Sequence, residues 1–196
     1  FASMTEEEWD AVISVHLKGH FCISSHAVRY WRTRSKDGFE VNARIINTSS
    51  GAGLQGSIGQ SNYAAAKGGI ASLTLNQAAE LSRYGITANT LVPAARTGMT
   101  TAVPEMAERM KKPGDGSFDY WSPENVSPLV VYLASARSAR ITGKAFEIEG
   151  GRISICDGWR STSPIDKQGR WDVSELESKI EQLIEEALPA QKVWGT

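Results

Sequence analysis

The chain has 196 residues, of which 41% are hydrophobic and 22% charged, which is the balance of a globular domain with a core of its own. Its 21 basic and 22 acidic side chains leave a net charge of -1, so no electrostatic reason favours nucleic acid or an anionic membrane as a partner. The two cysteines and three histidines form neither a disulfide framework nor a zinc motif, so we predict no metal site.

The first part of the chain predicts a long helix and then a buried strand. Thr5 is a suitable N-cap, Glu8 completes a capping box, and the helix is expected to run to about Arg34. After a turn, residues 43–48 form a short β-branched run bounded by small residues, which is typical of a buried strand. A loop rich in Gly and Ser follows over residues 49–59.

The rest of the chain alternates helices with strands. In order, the predicted elements are a helix over roughly 60–83, a strand over 86–92 ended by Pro93, a long loop over 94–120, a helix opening at 122–125, a strand over 145–149 and an amphipathic helix after 171–172. This alternation predicts βαβ units and a parallel sheet, hence an α/β fold. Open parallel sheets bind ligands at the carboxyl ends of their strands, which here are followed by Ser49-Ser50 and by residues 93–97.

Tyr63 and Lys67 are the first candidates for chemistry. They lie four residues apart in the second predicted helix, so their side chains share one face. A phenol exchanges protons poorly at neutral pH, and a neighbouring ammonium favours the phenolate form. Ser50, after the first strand, could hydrogen-bond a carbonyl oxygen and hold it beside the phenol. Each residue alone also fits a solvated helix face or a turn, so the combination carries the hypothesis.

The order of motifs between residues 45 and 100 resembles the short-chain dehydrogenase/reductase family. It comprises a strand, Asn-Thr-Ser-Ser-Gly, a Gly-rich loop, Ser-Asn-Tyr-Ala-Ala-Ala-Lys-Gly-Gly, a second strand and a proline. The resemblance implies a Rossmann-like parallel sheet with flanking helices. It also implies an oxidoreductase that interconverts a secondary alcohol and a ketone with NAD or NADP. In such a site Tyr63 is the general acid/base, Lys67 assists it and contacts the nicotinamide ribose, and Ser50 orients the substrate carbonyl.

The same resemblance assigns the segment after the second strand to the nicotinamide pocket. The residues expected to line this pocket, together with Tyr63 and Lys67, are Pro93, Ala94, Ala95 and Thr97. Ala94 stands where the family usually has glycine. Residues 98–120, which we call the predicted lid, would cover the substrate.

His16 stands where the family usually has an asparagine that helps to hold a water in a proton relay. A neutral imidazole could fill that role, and a histidine that only packs between helices is the alternative. We include His16 among the catalytic candidates because of the possible role in a proton relay. No such argument applies to His20 and His26, which are expected to be surface or packing residues.

Less specific motifs narrow the resemblance to one branch of the family. The run His16-Leu-Lys-Gly, with Phe146-Glu-Ile and Gly158-Trp-Arg downstream, resembles the 3-hydroxyacyl-CoA or 17-beta-hydroxysteroid dehydrogenase units of multifunctional enzyme type 2 and actinobacterial relatives. This branch implies an acyl-CoA or a steroid as the small-molecule substrate. It also favours NAD over NADP.

The Gly-rich turn on which the family seats the cofactor pyrophosphate does not occur in the 196 residues. We therefore expect residues 1–160 to be the C-terminal portion of a Rossmann domain with three core strands. Residues 161–196 would be an extension with an amphipathic helix. The alternative to an enzyme is a truncated, inactive fragment that acts only as a dimerisation module.

The expected surroundings of the chain follow from the family and the composition. Members of the family pair through two long helices, so a homodimer or homotetramer is expected. No apolar run approaches the ~18 residues of a membrane span, and no secretory signal is expected. With so few cysteines, a reducing, cytoplasmic location is the expectation.

Overall fold

The computed structural model describes residues 1–156, 161, 164–189 and 193. Most of these residues belong to two compact units, one built on Phe1–Cys156 and one within residues 157–192. The Gly158-Trp-Arg motif and the boundary predicted after residue 160 fall on residues outside the described ones. The division into a Rossmann portion and an extension therefore stays a prediction.

The described residues form α-helices of different lengths and four strands. The α-helices are α1 (Glu6–Ile13), α2 (Gly19–Lys36), α3 (Gly51–Gln55), α4 (Ser61–Leu81), α5 (Gly98–Thr101), α6 (Pro104–Arg109), α7 (Ser127–Ala134) and α8 (Val173–Glu186). The strands are β1 (Ala43–Thr48), β2 (Ile86–Ala94), β3 (Ala145–Glu149) and β4 (Arg152–Cys156). A π-helical turn spans Ser14–Lys18, and 3-10 turns span Ser82–Tyr84, Pro123–Val126 and Ala136–Ser138.

The four strands form one sheet in the order β1-β2-β3-β4. The first three run parallel, which confirms the predicted α/β class and the three predicted strands. The fourth strand pairs antiparallel with β3 and corrects the expectation of three strands. Gly150 makes the reversal possible, because its φ of +54° suits a residue without a Cβ. Residues 152–156, which follow Gly150 and Gly151, are too few for their pattern alone to predict a strand.

The first predicted helix is confirmed in extent but is not one continuous α-helix. Thr5 caps α1 and makes the predicted capping box with Glu8. The π-helical turn Ser14–Lys18 then joins α1 to α2, which continues to Lys36. Such turns shift the hydrogen-bond ladder and are frequent at functional sites. Here the turn carries His16.

Two local expectations about the loops are corrected. The Gly-rich segment after β1 contains a short helix, α3, capped by Ser50. Pro93 lies inside β2 rather than ending it, because β2 continues to Ala94 beside β3. Proline is tolerated there because β1 ends at Thr48, so no strand residue of β1 stands opposite Pro93.

Each face of the sheet is covered by a helix and carries its own core. On one face, α4 packs on β1 and β2, and the buried cluster comprises Ala43, Ile45, Ala78, Leu81, Ile86 and Ala88. On the other face, α7 packs against β1, and its Leu129 and Leu133 form a buried cluster with Leu91, Phe146 and Ile148. Because α4 is held against the sheet, its first two turns stand beside the carboxyl end of β1. Among the described residues, no helix combines the length and hydropathy of a membrane crossing.

Candidate active site

Tyr63 and Lys67 come together at the carboxyl end of β1, as the sequence predicts. Lys67 is only 6% exposed, and its Nζ donates a hydrogen bond of 2.9 Å to the main-chain oxygen of Thr48. The same Nζ lies 5.6 Å from the centre of the Tyr63 ring. Burial lowers the pKa of Lys67, since removal from water disfavours the charged form. A buried ammonium is thus held beside a phenol that is half-buried.

The main chain of Lys67 is fixed by two residues, Ser49 and Gly53, to which the sequence analysis assigned no role. Ser49 is 2% exposed, and its hydroxyl donates to the main-chain oxygen of Lys67 at 2.7 Å. Gly53 of α3 lies so close to α4 that a Cβ there would come within 2.5 Å of the carbonyl carbon of Lys67. Only glycine allows this approach. The only signal in the sequence for this close approach is the presence of a glycine, Gly53, shortly before the helix that carries Tyr63 and Lys67.

Ser50 lies where the sequence predicts, directly after β1 and at the start of α3. Its Oγ accepts a hydrogen bond of 3.3 Å from the N–H of Ala52, and its backbone is extended, with φ of -158°. Within the described residues, its O–H has no acceptor, so the hydroxyl can still donate. A substrate carbonyl oxygen is the acceptor that the hypothesis requires.

His16 lies on the π-helical turn against Tyr63. The two rings meet edge to face, with centres 5.2 Å apart and planes at 82°. Burial lowers the pKa of His16, and the charge of Lys67 lowers it further. A neutral imidazole therefore stands beside the phenol at neutral pH. The structure brings His16 into the site, while its part in a proton relay stays a prediction.

His20, which was expected to be a surface or packing residue, is half-buried and also lies in this cluster. Its Nδ1 lies 2.7 Å from the main-chain oxygen of His16, and its Nε2 lies 3.3 Å from the amide nitrogen of Thr48. The sequence could not indicate this, because Thr48 is 28 residues away along the chain. His26, in contrast, is exposed on α2.

The residues predicted for the nicotinamide pocket follow one another at the carboxyl end of β2. Pro93 and Ala94 are the last residues of the strand, Ala95 comes after it, and Thr97 caps α5. The first three are half-buried and Thr97 is exposed. The N–H of Ser49 donates to the main-chain oxygen of Leu91, so the ends of β1 and β2 are neighbours. The two predicted groups of residues thus share one edge of the sheet.

Arg96, inside this segment, ties the predicted lid to the strand end. Its guanidinium donates to the main-chain oxygen of Met110 at 2.7 Å and makes a two-pronged ion pair with Asp119. The main-chain N–H of Arg96 donates to the main-chain oxygen of Trp121 at 2.7 Å. The hydrogen bond from Arg96 holds the pKa of Asp119 below its usual value. The middle and the C-terminal end of the predicted lid are therefore tied to one arginine that the sequence did not single out.

Comparisons with known proteins bear on the fold and the family. The family model described as enoyl-(acyl carrier protein) reductase matches residues 1–152. Over 197 residues the chain is 41% identical to the hydroxyacyl-CoA dehydrogenase ChsB1 of Mycobacterium tuberculosis, which covers 99% of this chain and 61% of ChsB1. This similarity extends beyond the end of the family model into the segment that we predicted to be an extension.

Two solved dehydrogenase structures also match this chain. A short chain dehydrogenase from Mycobacterium avium matches 100% of this chain and 63% of its own length, with 52% identity and a TM-score of 0.86. A 4-hydroxyisoleucine dehydrogenase complexed with NADH matches 76% of this chain and 61% of its own, with 25% identity and a TM-score of 0.63. The chain therefore spans a little over three fifths of the length of these proteins.

Proposed function

The chain belongs to the short-chain dehydrogenase/reductase family, and we propose on this premise that its site moves a proton while hydride passes between a nicotinamide cofactor and a secondary alcohol or ketone. The observation that carries the proposal is the buried Lys67 ammonium, held between Thr48 and the Tyr63 ring. A buried charge is costly and is retained where it does chemistry. The activity is proposed for the protein of which these residues are the catalytic part.

The residues at the end of β1 fit the nicotinamide end of such a cofactor. An ammonium has three N–H donors, and among the described residues Lys67 uses one of them, on Thr48. The other two are available for ribose hydroxyls. Pro93, Ala94, Ala95 and Thr97 would line the nicotinamide pocket beside them. We assign no residue to the pyrophosphate, since the Gly-rich turn does not occur in the 196 residues.

The proton path follows from the side chains. When bound, the nicotinamide supplies or accepts the hydride. In the oxidation, the Tyr63 phenolate takes the proton of the substrate hydroxyl, and in the reduction the phenol returns it to the ketone oxygen. The Lys67 ammonium lies 5.6 Å from the centre of the Tyr63 ring, so a positive charge stands next to the group that exchanges the proton. Ser50 donates its O–H to the substrate oxygen and holds it within reach of Tyr63.

We propose a 3-hydroxyacyl-CoA as the substrate, with a steroid as the other bulky alcohol that the branch implies. The support is the similarity to ChsB1, a hydroxyacyl-CoA dehydrogenase. NAD is proposed over NADP, and the complex of 4-hydroxyisoleucine dehydrogenase with NADH is consistent with that choice. Comparing kcat/KM for the two cofactors tests it, and a preference for NADP would contradict it.

We also propose a cytoplasmic homodimer or homotetramer that pairs through α2 and α4. The support is the apolar surface that the first helices expose: the side chains of Val15, Phe21, Ile23 and Tyr30 are each more than half exposed. Exposed apolar side chains in such number on one helical segment favour a protein interface. Sedimentation of the purified protein tests this, and a monomer at micromolar concentration would contradict it.

The decisive experiment replaces the proposed acid/base. In the natural protein that contains this chain, Tyr63→Phe should lower kcat for oxidation of a 3-hydroxyacyl-CoA by roughly 10²- to 10⁴-fold. Tyr132→Phe, on α7 and away from the site, is the matched control and should leave kcat unchanged. Undiminished turnover in Tyr63→Phe would overturn the role of Tyr63. An inactive dimerisation fragment would instead show no turnover before any substitution and no NAD(H) binding.

A further inference from the structure

His20 holds the last residue of β1 through a single tautomer of its ring. Nδ1 lies 2.7 Å from the main-chain oxygen of His16, and Nε2 lies 3.3 Å from the amide nitrogen of Thr48. A carbonyl oxygen only accepts, so Nδ1 carries the hydrogen. An amide N–H only donates, so Nε2 presents its lone pair. Both bonds together require a neutral imidazole with its hydrogen on Nδ1.

The N–H and C=O of Thr48 point to the same side of β1. Ser49, the next residue, donates to Leu91 of β2, so Thr48 faces the opposite edge of the strand. On that edge the N–H of Thr48 meets His20, and its oxygen receives Lys67 at 2.9 Å. One residue, Thr48, is therefore held by His20 and itself holds the ammonium.

His20 is itself anchored by a buried chain of hydrogen bonds. The Ser24 hydroxyl donates to the main-chain oxygen of His20 at 2.6 Å and accepts from Gln77 of α4 at 3.0 Å. Gln77 in turn accepts from Asn47 of β1 at 2.8 Å. Ser24, Gln77 and Asn47 are all buried. This chain fixes α2 relative to both α4 and β1, so the ring of His20 reaches Thr48 from a rigid base.

We propose that His20 is a positioning residue for Lys67. By fixing the N–H of Thr48, it fixes the carbonyl on which the Lys67 ammonium rests, and so the distance of that ammonium from Tyr63. The inference rests on the proposed function, in which Lys67 assists Tyr63. Without the ring, the N–H of Thr48 loses this acceptor, and the carbonyl that accepts from Lys67 loses the support that the ring gives it.

Substitutions can separate this role from mere packing. His20→Ala should lower kcat by about threefold to tenfold, the effect of one lost hydrogen bond, with little change in the KM of the substrate. In His20→Gln the side-chain oxygen can still accept from Thr48, so most of kcat should return. His26→Ala, exposed on the same helix, is the matched control and should behave as the unmodified protein. Equal losses in His20→Ala and His20→Gln would overturn the proposal.

A measurement independent of turnover distinguishes this proposal from the proposed function. NMR spectra of the unmodified 196-residue chain, labelled with ¹⁵N, can record long-range correlations within the His20 ring. These correlations should show the hydrogen on Nδ1. The Lys67 Nζ signal should shift in His20→Ala, recover in His20→Gln and stay in place in His26→Ala. A hydrogen found on Nε2, or a Lys67 signal unchanged in His20→Ala, would overturn the positioning role. Failure of the proposed function would show separately, as absent turnover in the unmodified protein.

Discussion

Gly53→Ala is the substitution whose effect follows most directly from the structure. The added Cβ would lie 2.5 Å from the carbonyl carbon of Lys67 and 2.6 Å from the amide nitrogen of Gly68. Both are backbone atoms of α4, so no side chain can swing away to make room. The methyl group must push α3 off the helix that carries Tyr63 and Lys67. Overpacking of this kind costs about 1–3 kcal/mol.

For a chain of this size, 1 kcal/mol shifts Tm by about 2–4 °C, so Gly53→Ala should lower Tm by roughly 2–12 °C. Thermal unfolding followed by circular dichroism measures the shift. Gly114→Ala is the matched control, because a Cβ there meets nothing within 4 Å. Its Tm should stay close to that of the unmodified chain. If both variants melt together, α3 does not pack on the backbone of Lys67, and the account of how that lysine is held is wrong.

Three further outcomes are expected. The pKa of His16 in the folded chain lies below its ordinary 6.5, so the unfolded chain binds a proton at a higher pH than the folded chain does. The free energy of unfolding should therefore fall as the pH drops below 6.5. Urea unfolding above and below pH 6.5 checks this, and His16→Asn should remove its contribution to the slope. Asp119→Asn weakens the ion pair that anchors the predicted lid, so trypsin should cleave the lid faster than in Asp115→Asn, an exposed change in the same segment; equal rates would contradict the anchoring. Leu133→Ala, at a fully buried position, should cost about 2–5 kcal/mol in denaturant unfolding, whereas Val131→Ala, 68% exposed, should cost less than about 0.5 kcal/mol.

Several features could be predicted because they are encoded by neighbouring residues. The capping box of Thr5 and Glu8 joins residues three apart, and the Tyr63 and Lys67 pair joins residues four apart on one helix face. The strands at 43–48 and 145–149 were expected with the bounds that the structure gives them, since each is a short apolar run between breakers. Ser50 directly follows β1 as predicted, whereas Pro93 and Ala94 are the last residues of β2 and residues 95–97 follow it.

Other features depend on contacts between distant parts of the chain. His20 meets Thr48 across 28 residues, and Arg96 meets Asp119 across 23. Strand β4 exists because its backbone pairs with β3, and its short run carries no signal strong enough alone. The roles of His16, of the cofactor residues and of the oligomer stay predictions, to be tested by the experiments above.

The sequence by itself determined the α/β class, the parallel strands and the helix face that pairs a phenol with an ammonium, because periodicity and spacing act within a few residues. Only the tertiary structure decided what holds that ammonium in place. Thr48, Ser49 and Gly53 reach Lys67 through the packing of β1 and α3 against α4. That packing minimises exposed apolar surface over the whole domain, and no local pattern encodes which backbone atoms it brings within hydrogen-bonding distance.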